Sequence, residues 1–163
     1  MMHKQNSSGF TILEIIVVTS LIAALFGFIG VNLARITYSA TINSQLSTII
    51  SDLKIQQVKS QGGDTEGRTT SDSYGIYFET NRYTFFHSLV YNQNDPDNLV
   101  VNLGDNMELT DIRFPSAMVV FREGSGELLN YVSGSDSVTL VNTQTNEEKT
   151  ITLNRYGVVT GID

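Results

Sequence analysis

The sequence predicts an α+β fold: a long N-terminal helix, membrane-spanning in its first half, packed on a C-terminal antiparallel β-sheet domain. Three observations lead there. Residues 10–31 are an apolar run of 31 − 9 = 22 residues with a single charged side chain, Glu14. Helical spacing of apolar residues then continues through a polar stretch to about residue 60. Beyond it come short segments rich in β-branched and aromatic residues, separated by Gly, Asn and Asp. The expected divisions are a leader, 1–9, a hydrophobic helix, 10–31, an amphipathic helix half, 32–60, and a globular antiparallel β domain, 61–163.

As a helix rising about 1.5 Å per residue, the apolar run is long enough for a hydrocarbon core of roughly 30 Å. A carboxylate inside such a span costs at least about 2.5 kcal/mol at its centre, so Glu14 calls for a partner. Further on, Leu33, Ile36, Ala40, Leu46, Ile49, Ile50, Leu53 and Val58 recur at helical steps, with Ser, Thr, Asn and Gln between them. From Leu46 the stripe follows i, i+3, i+4, i+7, the pattern of one buried face. No Pro interrupts residues 10–60, and Gly62-Gly63 supplies a stop. Gly27 and Gly30 are the weak points, each costing roughly 1 kcal/mol relative to Ala, or else places where another helix packs closely.

Residues 61–73, rich in Gly, Asp, Thr and Ser, read as a loop. Strands are expected at 74–79 and 82–91 around a Thr80-Asn81 hairpin turn, and at 99–103, 108–114 and 117–122. Gly124-Ser125-Gly126 turns the chain into a further strand at 127–132. Segments 138–142 and 149–154 alternate around a second hairpin, and 155–159 closes the domain. So many short strands with little helix after residue 60 indicate an antiparallel β domain.

The polar leader ending in Gly9, the aromatic Phe10 after it and Glu14 five positions past the Gly resemble the class III signal of type IV pilins and type II secretion pseudopilins. The strand density and the closing segment 151–159 are similar to H-type minor pseudopilins. The resemblance implies the pilin fold and a prepilin peptidase that cuts between Gly9 and Phe10, leaving 163 − 9 = 154 residues. It also implies N-methylation of the Phe10 amine and assembly through Glu14, which pairs with the N-terminal amine of a neighbouring subunit. Phe10 and Glu14 are also i, i+4 neighbours within one helix, so an intramolecular pair is open too. The partners implied are other subunits in a helical hetero-polymer, the peptidase, an inner-membrane assembly platform and the membrane. The expected place is the bacterial inner membrane as a single-pass protein, then a periplasmic or cell-surface filament serving a type IV pilus or type II secretion. This chain departs from many major pilins in lacking a Pro at position 31 and any Cys.

Competing readings of the segment are a cleaved secretory signal, a plain single-pass anchor and a buried core helix. The first lacks an A-x-A site, with Tyr38-Ser39-Ala40 a weak substitute. The second leaves Gly9 and Glu14 without a role. The third lacks the polar face a water-exposed helix keeps. The rival function is a membrane-anchored or secreted extracellular β domain that binds a ligand and never polymerises.

Charge and composition narrow the function classes. Residues 1–60 carry four basic and two acidic side chains (+2), residues 61–163 six and fifteen (−9), summing to the net −7 of the chain. An acidic domain does not suit nucleic acid, which is bound by basic stripes, and the C-terminus, Thr160-Gly161-Ile162-Asp163, has no basic residue. Without Cys there is neither a disulfide framework nor a thiolate metal site. His87 is the one histidine past the leader, set beside Phe85 and Phe86 in a strand pattern, and reads as structural. No Ser sits in a G-x-S-x-G context, so no enzyme, no catalytic residue and no cofactor are expected. The loop Asn92-Gln93-Asn94-Asp95-Pro96-Asp97-Asn98, with Asp105 soon after, offers the oxygen ligands that calcium prefers but lacks EF-hand spacing. Asx-rich turns of this kind also form without metal.

Overall fold

The computed structural model describes residues 11–163, and for 25–40 the backbone only. The chain divides into two compact units, Met1–Thr37 and Tyr38–Asp163. Helix α1, Ile12–Gly62, contributes its first part to one and its last part to the other.

In the first unit, Thr11 caps α1. Its hydroxyl oxygen accepts from the Glu14 amide at 3.3 Å, and its carbonyl accepts from the same amide at 3.1 Å. Thr11-x-x-Glu14 is the spacing of a capping box, and the acid in the first turn favours the positive end of the helix dipole. The predicted fold class is corrected here. Among the described residues no helix is long and apolar enough to cross a membrane. Glu14 breaks the apolar character of the helix in its first turn. Single-pass anchoring in an inner membrane, and the transmembrane role given to 10–31, therefore have no support.

The second unit holds the last part of α1 and eight strands in two sheets, where the sequence suggested a single one. Strands β1 (Tyr74–Glu79), β2 (Arg82–His87), β3 (Leu99–Asn102) and β5 (Met118–Phe121) form one sheet in the order β3-β2-β1-β5. Strands β4 (Met107–Thr110), β6 (Ser137–Asn142), β7 (Glu147–Leu153) and β8 (Val159–Ile162) form the other, in the order β4-β6-β7-β8. Every pairing is antiparallel. The sheets are tied where the Leu109 amide of β4 donates to the carbonyl of Thr80, in the β1–β2 turn, at 2.7 Å.

The larger of two apolar clusters takes residues from α1 and both sheets, and the smaller holds Phe86, Met118 and Val120. Ile42, Leu46, Ile49 and Leu53, at steps of four, three and four, are all buried and meet Ile76, Phe78, Tyr83, Val119 and Phe121 of the first sheet and Leu109, Val138, Leu140, Ile151 and Leu153 of the second. The stripe expected from the sequence missed Ile42 and wrongly ended on Val58, which is 52% exposed. Its last positions are polar instead: Gln56, Gln57 and Ser60 are buried, with Gln57 Nε2 donating to the carbonyls of Gly126 (3.0 Å) and Tyr156 (2.6 Å). Burial of the Gln57 amide and the Ser60 hydroxyl is tolerated because each finds a backbone partner. The helix ends as a Schellman motif, Gly63 at φ 62° with the Asp64 amide reaching the Lys59 carbonyl at 3.0 Å.

One predicted strand is absent and another is shorter than expected. Residues 127–132 make only a single bridge, Phe121 to Leu128, and β2 stops at His87 rather than continuing to Tyr91. The closing strand begins at Val159, after a turn in which Asn154 Oδ1 accepts from the amides of Tyr156 and Val158. In central strand β1, Gly75 admits no side chain: a Cβ there would lie 2.7 Å from the Val119 carbonyl and 2.6 Å from the Phe86 ring.

Candidate functional site

Of the residues singled out for processing and assembly, Gly9 and Phe10 lie outside the described residues. Glu14 lies within them, exposed in the first turn of α1. Around it Ile12, Leu13, Ile15, Ile16, Val17, Val18, Leu21 and Ile22 are all between 45% and 79% exposed. Their positions run round the helix rather than along one stripe. A helix that is apolar on all sides is normally a buried one. Thr19 and Ser20 hide their hydroxyls by donating to the carbonyls of Ile15 and Val17, each at 2.8 Å, so the surface presented is more apolar than the residue types suggest. The surface is suited to packing against other apolar side chains and holds no group placed for catalysis.

The second unit carries a polar cluster at the end of β2. His87 pairs with Tyr74 across the β1–β2 ladder, which places Asp72, just ahead of β1, beside its ring: Asp72 Oδ2 lies 3.3 Å from Nδ1. The segment after β2 then folds back so that Asp95 and Asp97 approach the other ring nitrogen. Asn92 and Asp95 hold that segment in consecutive Asx turns, their side-chain oxygens accepting from the amides of Asn94 (3.1 Å) and Asp97 (3.0 Å). Asn98 Nδ2 donates to the Asn92 carbonyl at 2.7 Å. Asp105, grouped with this loop on sequence proximity, is not part of the cluster. Asp72 was not singled out at all, because its nearness to His87 comes from strand pairing across 15 residues of chain.

Elsewhere charges are paired at turns. Arg82 grips Glu79 with two bonds, 2.6 and 2.8 Å, across the β1–β2 turn, and this hydrogen bonding holds the Glu79 carboxyl below its ordinary pKa. Burial, with the Asp52 carboxylate accepting its hydroxyl, pushes the Tyr83 phenol well up, so it stays protonated.

No protein-family model matches this chain, and neither a curated protein nor a solved structure matches it. The link to pilins and secretion thus has no family or homologue behind it. It rests on the motif Gly9-Phe10 and Glu14.

Proposed function

We propose that this chain is a structural, non-enzymatic subunit of a helical filament, a minor pilin or pseudopilin in kind, which assembles through the N-terminal part of α1. The observation that carries this reading is the eight large aliphatic side chains exposed from Ile12 to Ile22. Full burial of each contributes roughly 1.5–3 kcal/mol. Eight of them, each already part-covered, still offer a gain of the same order as an association cost of about 4–15 kcal/mol. Copies of the same helix are a matching surface, and a head-to-tail contact that does not close into a ring propagates as a helix.

Glu14 supplies register in this reading. Packing the helices takes its carboxylate out of water, which is unfavourable unless a cation meets it. In the pilin resemblance that cation is the Phe10 amine of a neighbouring subunit, released by a prepilin peptidase. Burial of a charge pair of this type specifies alignment more than it adds stability.

The test is incorporation of Glu14→Leu and Glu14→Gln into filaments sheared from cells, with the terminus of the purified chain read by mass spectrometry. A chain beginning at methylated Phe10, and an incorporation drop of at least tenfold in both variants, are expected. Wild-type incorporation of Glu14→Leu would overturn the assembly role, and a chain still beginning at Met1 would overturn the processing.

A further inference from the structure

We propose that His87, Asp95 and Asp97 form a binding site for one divalent transition-metal ion of the zinc type, with Asp72 as the carboxylate that positions the histidine. The proposal is independent of filament assembly, since it concerns only residues of the second unit.

The cluster mixes one nitrogen and two oxygen donors, all within 4.8 Å of one another. Its least ordinary member is His87 Nε2, which is sealed from solvent and has no hydrogen-bond partner. The His87 side chain as a whole is only 16% exposed. Asp72 Oδ2 beside Nδ1 favours the tautomer in which Nδ1–H donates to this carboxylate, since a carboxylate oxygen accepts. Nε2 then turns a bare lone pair toward two anionic oxygens, Asp97 Oδ2 at 3.5 Å and Asp95 Oδ2 at 3.8 Å. Lone pair and carboxylates repel unless something positive lies between them.

Both carboxylates stand farther from Nε2 than Asp72 does from Nδ1, at 3.5 and 3.8 against 3.3 Å. A metal ion between them fits that spacing. Ligands about 2.1 Å from a tetrahedral zinc stand about 3.4 Å from each other, close to the two separations found. The Asp72–His87 contact matches the second requirement of such sites, in which the non-ligating ring nitrogen donates to a carboxylate that fixes its tautomer and orientation.

Donor chemistry selects the ion. Calcium and magnesium take oxygen ligands, whereas imidazole suits zinc and its neighbours. Two carboxylates also neutralise a divalent charge. His87 and Asp97 line a cavity of about 50 Å³, more than the roughly 10–15 Å³ one water needs, so solvent has room to complete the coordination. Lys59 lies on the same wall, but Glu66 holds its ammonium. Asn98 Oδ1, in the same loop, is a second buried oxygen with no partner.

The experiment titrates the full-length, chelator-treated chain with Zn2+, and in parallel with Ca2+. Saturation at one Zn2+ per chain, tighter than Ca2+, is expected, with the resonances of the His87 ring shifting at Nε2. Asp97→Asn, at a position 57% exposed and so harmless to folding, should weaken zinc binding at least tenfold. Asp72→Asn should weaken it about 10–100-fold without changing the stoichiometry. His87→Gln should remove it while circular dichroism still shows a folded domain. Absence of saturable Zn2+ binding overturns the proposal. Equal affinity in Asp97→Asn, which would place the ion elsewhere on the acidic surface, and tighter binding of Ca2+ than of Zn2+ each overturn it as well.

Discussion

The hydroxyl of Ser60, in the last turn of α1, donates to the carbonyl of Phe121 at 3.0 Å. The same oxygen accepts from the Tyr74 amide at 2.8 Å. Tyr74 and Phe121 are cross-strand partners of β1 and β5, so one buried side chain joins the helix to the end of both strands. Ser60→Ala leaves a buried donor and a buried acceptor unpaired, at a cost of about 1–3 kcal/mol for each group so exposed to an apolar setting. A urea midpoint that falls accordingly, with an unchanged slope, is expected. A midpoint equal to wild type would mean that water or a shift of the strand replaces both bonds.

Ile49 and Val58 lie on the same helix with opposite exposure, 0% and 52%. Ile49→Ala should destabilise the domain by about 2–5 kcal/mol through lost burial and an unfilled cavity. Val58→Ala should change stability by no more than about 0.5 kcal/mol, as surface substitutions do. Comparable losses at the two sites would place Val58 in a contact surface of the folded protein.

The Glu79–Arg82 pair makes stability depend on pH in one direction. Arg82 lowers the carboxyl pKa in the folded state, so the pair contributes above the ordinary Glu value of about 4.3 and the contribution is lost as pH falls through the lowered value. The difference in unfolding midpoint between wild type and Arg82→Gln should therefore be present at pH 7 and vanish in acid well below 4.3. Both side chains are part-exposed, so the difference should also shrink in high salt. A gap that persists in strong acid would assign the effect of Arg82 to packing of its aliphatic stem.

Much of the second unit was legible because its local signals and its burial coincide. The Thr80-Asn81 turn, the strands flanking it, the 138–142 and 149–154 alternation and the stop at Gly62-Gly63 all reflect preferences that neighbours in sequence impose, and packing did not oppose them. Val58 was misread because helical spacing places a residue on a face but says nothing of where the partner surface ends. There the buried positions pass to Gln56, Gln57 and Ser60, and the last two bond to backbone groups of Gly126, Tyr156 and Phe121.

The sequence by itself determined the periodicities: an apolar N-terminal run holding one carboxylate, an amphipathic continuation and a set of short antiparallel strands. Partition of the strands into two sheets was decided by tertiary pairing, since alternation marks a strand's inner face but not its neighbour. The same holds for the grouping of Asp72, His87, Asp95 and Asp97. Asp72 meets His87 through the β1–β2 register, and Asp95 and Asp97 arrive by a loop folding back on β2. Local propensity acts over a few residues, whereas a binding geometry depends on which distant backbone segments share a surface, and only the packed chain sets that.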